Sequence, residues 1–428
     1  MVAQVCRASR LRRAALRSFT SATATFGQQA CGTHGPEPLG RWRPPAAQGG
    51  FGEGRGVWRP GPAAACSSQS CRERDAEICA VCVAELPGWG SLARDDLRVE
   101  RLPGGASNQN FKVQLAAPAA GGAGGLNAVL FRVYGSGLEL LYDRELEVDI
   151  AQMLSRHGVA AQVYARGRGW RIEQWWHDAA PLLNCRMKEP AVLAQVASHI
   201  GRLHRMSAIS LDFHHRAGAR PPASLSRLWG WGRAAEHAAL EAPRLTAGIA
   251  LPEILAERTW LTDFVREGDD GVPGTGLDVV FSHWDPQENN ILLTPSGLQF
   301  IDFEYSDMDH QAFDLATYFV ECGIDLRVDE YPYYKSTPSE LPTEDERRFF
   351  CAAYLTEYLR VPVPPGDPRA ASLSRRTERF ALAAHLLWAM WSVVRASRAP
   401  AGGFDYLHYG RCRWSLYRQA KSALLGKI

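Results

Sequence analysis

The stretch from Val279 to Asp314 constrains this chain more than any other. Val279-Val280-Phe281 and Ile291-Leu292-Leu293 are short apolar segments, and the polar run Ser282-His283-Trp284-Asp285-Pro286-Gln287-Glu288-Asn289-Asn290 lies between them. A turn at Pro295-Ser296-Gly297 follows, and apolar Leu298-Gln299-Phe300-Ile301 then runs directly into Asp302. This patterning predicts a tight loop carrying Asp285 and Asn290, then a hairpin that ends on Asp302. Taken singly, any Asp here reads as a turn residue or a helix cap. The ordered series H-x-D-x-x-x-x-N, hairpin, I-D reads differently. Phosphoryl transfer needs one carboxylate to orient the attacking hydroxyl and accept its proton. It also needs an oxygen ligand and a second carboxylate to hold magnesium on nucleotide phosphates. Asp285 fits the first role, and Asn290 and Asp302 fit the others. His283 supports the loop by hydrogen bonding.

Upstream, the pattern has period two. Leu97 and Val99 alternate with Arg98 and Glu100, and Phe111, Val113 and Leu115 with Lys112 and Gln114, which predicts two strands. Gly104-Gly105-Ala106-Ser107-Asn108 joins them, as a plain hairpin turn or as a cradle for phosphate oxygens. After a Gly/Ala loop from Ala119 to Gly125, the run from Val129 to Tyr134 predicts a third strand. Leu146, Ile150, Met153 and Leu154 then predict a helix that stops at Gly158. Arg132 on the strand and Glu147 on the helix are either an ion pair that aims a cation at nucleotide phosphates, or two solvated side chains without a partner. Strands are expected again at Gln162-Val163-Tyr164 and from Trp170 to Gln174. The rest reads as mainly helical, starting with a stripe of Val192, Leu193, Val196, Ile200 and Leu203.

With 428 residues, 46% hydrophobic and 22% charged, the chain can build two packed units or one large two-lobed one. Lys+Arg 48 against Asp+Glu 46 leaves a net charge of +2, so bulk charge exerts no pull toward nucleic acid. No apolar run approaches the roughly 18–20 residues that span a bilayer. Met1 to Pro36 holds no Asp or Glu, while Arg7, Arg10, Arg12, Arg13 and Arg17 lie among Ala, Ser and Thr. That composition fits an organelle transit peptide or a disordered start. Gly, Pro and Gln prevail from there to about Ser70, as in a linker. Cys79-x-x-Cys82 has the spacing of a zinc-ligand pair. Ile78, Val81, Cys82 and Leu86 also form the stripe of an amphipathic helix, the favoured reading. Cys185, Cys322, Cys351 and Cys412 are scattered and fit reduced, small hydrophobes.

Three segments in order, Ile301-Asp302-Phe303-Glu304-Tyr305, Ala312-Phe313-Asp314 and His385-Leu386-Leu387-Trp388-Ala389-Met390-Trp391-Ser392, resemble the choline/ethanolamine kinases, small-molecule kinases with a protein-kinase-like fold. Leu86-Pro87-Gly88-Trp89, the Gly104 to Asn108 loop, Phe131-Arg132-Val133-Tyr134-Gly135 and Tyr331-Pro332-Tyr333-Tyr334 extend the resemblance from about Cys79 to the C-terminus. It implies an α+β, bilobal chain: a disordered basic leader over 1–70, a small β-rich nucleotide lobe over 71–174 and a larger, mainly helical lobe over 175–428. It also implies an ATP- and Mg²⁺-dependent kinase that phosphorylates the hydroxyl of ethanolamine or choline, acting as a homodimer in the cytoplasm. A genuine transit peptide would move it to a plastid or mitochondrion. The alternatives are another small-molecule kinase of this fold, of aminoglycoside or methylthioribose type, and a noncatalytic kinase-like binding module.

The resemblance also implies residue roles. It places the nucleotide loop on Ser107 and Asn108, the phosphate-directed cation on Arg132 with Glu147 as its helix partner, and the adenine hinge near Gln174. The catalytic base falls on Asp285 and the metal ligands on Asn290 and Asp302. The amine pocket falls on Glu304, Tyr305, Glu321, Trp388, Trp391 and Tyr409. A quaternary ammonium has no N–H to donate and is held best by aromatic faces with negative charge nearby. Trp388 and Trp391 share one side of a predicted helix, a spacing that by itself favours core packing. The chain departs from the family pattern at Trp284, where Asn is common, and at Leu326, where many choline kinases carry an aromatic residue. The first changes how the loop packs. The second makes the cage less aromatic and tilts the reading toward ethanolamine.

Overall fold

The alternation between Leu97 and Leu115 resolves into antiparallel strands β1 (Leu97–Arg101) and β2 (Asn108–Leu115), in register from Leu97 opposite Leu115 to Arg101 opposite Phe111. This is a computed structural model, and it describes residues 68–102, 108–117, 125–135, 141–267, 276–398 and 403–426. Ser107, the rest of the glycine loop before it and the basic leader up to residue 67 lie outside the described residues. β3 (Ala128–Tyr134), β4 (Val163–Gly167) and β5 (Trp170–Gln174) complete a five-stranded antiparallel sheet of order β1-β2-β3-β5-β4.

Register decides the two faces of this sheet. Phe111 lies opposite Phe131, which lies opposite Ile172, so one face carries an apolar row. Helix α1 (Ser68–Glu85) and the turn after it cover that row with Ile78, Cys79, Cys82, Leu86 and Trp89. Cys79 and Cys82 are therefore core side chains of a helix, and burial pushes the Cys82 thiol up to about 12. On the opposite face Arg132 lies directly across from Arg171.

Helix α2 (Arg144–Arg156) starts at Asp143, whose Oδ1 accepts the N–H groups of Glu145 at 3.0 Å and Leu146 at 3.2 Å. It ends just before Gly158, where φ is +67°. Its buried Ile150, Met153 and Leu154 belong to a second and larger core. That core is built by α3 (Pro190–Arg205), α4 (Ser207–Ala217), α5 (Ala223–Glu241), α6 (Leu251–Arg266), α7 (Gln311–Glu321), α8 (Glu344–Leu359), α9 (Pro368–Ala396) and α10 (Tyr406–Leu425). The expected stripe from Val192 to Leu203 is buried along α3.

Two short antiparallel ladders are set into the helices. β7 (Val279–Ser282) pairs with β10 (Asp307–His310). β8 (Ile291–Thr294) and β9 (Gly297–Phe300) form the expected hairpin, with β6 (Ala180–Pro181) at its edge. Gly297, at φ +119°, makes the turn that an L side chain would resist. The ladders grip both ends of segments 283–290 and 301–306, the two polar stretches singled out in the sequence. The whole is an α+β, protein-kinase-like fold, a small sheet lobe and a larger helical one. No helix among the described residues is long and apolar enough to cross a membrane.

Candidate active site

One carboxylate fixes the loop between β7 and β8 from beneath. Asp314, fully buried in α7, accepts the backbone N–H of His283 on Oδ2 and that of Trp284 on Oδ1, each at 2.7 Å. His204 of α3 meets the same Oδ2 at 3.0 Å. His283 places Nε2 3.0 Å from the Ile301 carbonyl and Nδ1 3.3 Å from the Asp285 N–H, so Nε2–H donates and Nδ1 accepts. Burial lowers the His283 pKa and keeps the ring neutral. The supporting role expected of it follows.

Asp285 emerges half-buried from this loop. Asn290 donates its Nδ2 to the Asp285 carbonyl and to Oδ2, each at 3.0 Å, and its own carbonyl accepts the Ile301 N–H at 2.9 Å. The end of the hairpin is thereby tied to the loop, and Asp302 follows at φ +65°, a left-handed conformation that Asp tolerates. Burial, then the charges of Glu321, Asp302 and Glu304, hold the Asp285 carboxyl well above the usual range, with Arg413 opposing them. Carboxylates gathered this closely make a receptor for positive charge.

Arg132 and Glu147 are both paired, but not with each other. The strand register sets two guanidiniums side by side, and carboxylates must separate them. Glu173 takes Arg132 Nε at 3.1 Å and Arg171 Nε at 2.7 Å. Glu147 takes the far side of Arg171 at 2.5 Å and Arg144 at 3.2 Å, while Arg132 Nη1 lies 3.8 Å from Asp302. The result is an alternating chain running Arg144, Glu147, Arg171, Glu173, Arg132, Asp302. Burial favours a raised Glu173 pKa, yet Arg171 and Arg132 outweigh it and bring the carboxyl down to about 2. Arg171 is one residue that the sequence reading missed, and the only signal for it was its place across from Arg132. Of the remaining expected nucleotide contacts, buried Asn108 opens β2 opposite Tyr134. Gln174 closes β5, its Oε1 3.3 Å from the Gln162 N–H.

Four expected aromatic residues come together. Tyr305 Oη accepts the Trp391 indole N–H at 2.8 Å, and its ring stands edge-on to Trp388 at 5.6 Å. Trp388 and Trp391 meet at 5.3 Å and 85°, and Trp391 reaches Tyr409 at 6.5 Å. Trp231 of α5 joins them, 5.7 Å from Tyr305 and 5.9 Å from Trp388, although no motif marked it.

Glu321 reaches the same region but is not a free anion. Arg413 of α10, fully buried, forms an ion pair with it and donates its Nε to Tyr409 Oη at 2.9 Å. Glu321 thus enters this region as one half of a buried ion pair, and Glu304 is an acidic neighbour of Tyr305. Arg413 escaped the sequence reading. Its one-turn spacing from Tyr409 was the available sign.

A family model described as choline/ethanolamine kinase matches residues 99–418, a span that includes all of these side chains. A choline/ethanolamine kinase of Homo sapiens is 29% identical over 372 residues, 83% of this chain and 89% of that protein. A probable ethanolamine kinase of Arabidopsis thaliana is 27% identical over 355 residues, 80% of this chain and 85% of that protein. Among solved structures, choline kinase from Cryptosporidium parvum Iowa II superposes with a TM-score of 0.72 at 26% identity, covering 82% of this chain and 96% of that one. Motif order, loop geometry and the extent of the match agree, and the chain belongs to the choline/ethanolamine kinase family.

Proposed function

We propose that this chain transfers the γ-phosphate of ATP to the hydroxyl of ethanolamine or choline. The observation that carries the reading is the electrostatic meeting of Asp285 with Glu304 and Glu321 beside the Tyr305, Trp388, Trp391 and Tyr409 rings. The base and a cation receptor occupy one place, as an amino alcohol requires.

In this reading Asp285, held by Asn290, orients the hydroxyl and accepts its proton. Before substrate arrives, burial and the charges of Glu321, Asp302 and Glu304 hold its pKa above the usual range. An ammonium docking near Glu304 supplies counter-charge and lowers that pKa, which favours the carboxylate that accepts the proton. The rings bury the carbon skeleton and face the cation. Arg132 stays charged in its buried setting and steadies the phosphates. Asn108 and Gln174 would meet the nucleotide at the sheet.

The residues present fit Mg²⁺. Asp302 Oδ1 is buried without a hydrogen-bond partner, and Asn290, its amide nitrogen already engaged by Asp285, offers Oδ1 as its acceptor. Among the described residues no group of three or more His, Cys, Asp or Glu forms a protein cage for a metal. A site of few protein oxygens completed by phosphates is the usual way kinases bind this ion. Bound Mg²⁺ would neutralise charge on the phosphate oxygens. A homodimer, a cytoplasmic location and a place in phospholipid headgroup synthesis belong to the same proposal.

The test is phosphate transfer from ATP to each amine by the purified chain, with and without Mg²⁺. Turnover on either amine supports the reading. ATP-dependent thermal stabilisation without turnover on either one would instead mark a noncatalytic binding module.

A further inference from the structure

Trp284 stands between His283 and the base, in a backbone conformation of φ +80° that bulky residues rarely adopt. The two N–H bonds to Asp314 hold this turn, which sends the indole into the helical core, where it is fully buried. Its Nε1–H donates to Asp309 Oδ2 at 2.8 Å. Asp309 is itself fixed by the N–H and hydroxyl of Ser224 and by the His310 N–H, each at 2.7 Å. The Arg227 guanidinium lies 4.2 Å from the ring centroid, and the Phe313 ring 4.4 Å away. The indole also meets Trp231 at 5.3 Å and Trp388 at 6.3 Å. One side chain therefore adjoins the base in sequence and backs the amine-pocket wall in space.

We propose that Trp284 determines amine specificity: anchored on Asp309, its indole backs Trp388 and Trp231 and keeps the pocket sized for a primary ammonium rather than a trimethylammonium. The proposal rests on the amine-kinase reading above. A wall ring recedes only if what lies behind it yields, and Trp284 is held by a hydrogen bond, a cation and the tilted Phe313 ring. Room for a released wall exists, because a cavity of about 250 Å³ lies against Trp231, Arg227, Tyr142 and Glu304. A larger head group would gain from that movement. A primary ammonium, which binds through N–H donation to acceptor oxygens, would gain little.

The experiment compares kcat/KM for ethanolamine and choline in the wild-type protein, Trp284→Phe and Trp284→Asn. The choline-to-ethanolamine ratio is expected to rise about tenfold, the low end of what one methylene of pocket space is worth, mainly through a lower KM for choline. KM for ATP should stay within about twofold, because the change is confined to the amine side. Trp284→Phe keeps a ring against Phe313 and serves as the folded variant should Trp284→Asn not fold. A ratio unmoved in a folded variant overturns the proposal, and so does an equal loss on both amines with a raised KM for ATP. Wild-type turnover on neither amine overturns the kinase reading itself, whereas wild-type turnover with an unmoved ratio overturns only the role of Trp284.

Discussion

Asn290 donates its side-chain amide to Asp285 twice, to the backbone carbonyl and to Oδ2, each at 3.0 Å. One carboxylate oxygen is thus committed to the loop. The same bond keeps the nitrogen of Asn290 away from any metal.

Asp285→Asn is expected to lower kcat by about 10²–10⁴-fold, the usual worth of a positioned base. It should also raise the melting temperature. Burial and the surrounding carboxylates raise the Asp285 pKa in the folded state, so at neutral pH its ionised form subtracts from stability. A neutral amide removes that penalty. Thermal melts and single-substrate kinetics on one preparation check both halves, and a lower melting temperature would contradict the electrostatic account.

Asp314→Ala would leave the His283 and Trp284 N–H groups and the His204 ring nitrogen without their acceptor. Each stranded buried donor costs about 1–3 kcal/mol, so a loss of several kcal/mol is expected in urea denaturation. Asp314→Asn retains one acceptor oxygen and should fall between the two. Wild-type stability of Asp314→Ala would mean that the carboxylate does not hold the loop.

Glu173 gives the sheet lobe an acid-sensitive element. Its carboxyl, at about 2 against an ordinary 4.5, adds stability that is complete above pH 4.5 and disappears as pH falls toward 2. The difference amounts to about 3 kcal/mol. Glu173→Gln should flatten the stability profile across that window. At pH 7 it should destabilise by about 3–5 kcal/mol, since Arg132 and Arg171 then face each other without their shared anion.

Arg413 opposes the rise of the Asp285 pKa, so Arg413→Met should push that pKa higher still. The acid limb of kcat/KM, which follows ionisation of the base, then moves to higher pH. Glu321 is stranded in the interior by the same change, at about 3–5 kcal/mol. Arg413→Lys separates the two effects: it keeps the charge and the pH profile while disturbing the paired geometry.

Local periodicity made the elements around the site legible. Strands β1 to β3, helices α2 and α3, the loop and its hairpin each follow from a pattern of period 2 or 3.6 within a few residues. Partnerships between distant elements were not. The exchange of partners at Arg132 depends on which strand lies beside β3, and Arg413 finds Glu321 only because α10 returns to α7. Trp231 and Asp309 belong to no motif and matter because of what stands against them. Trp284 was visible as a departure, but its role depends on a positive φ and a buried acceptor, neither of which is written in residue order.

Helix α1 and Trp89 cover the apolar row of Phe111, Phe131 and Ile172, yet the family match starts only at residue 99. The boundary drawn by homology and the one required by packing therefore differ. A chain trimmed to the matched span would expose that row to water as a contiguous sticky patch, prone to self-association. Shortening aimed at the basic leader should spare α1, which starts at Ser68, and the turn carrying Trp89, because the sheet lobe depends on them for its cover.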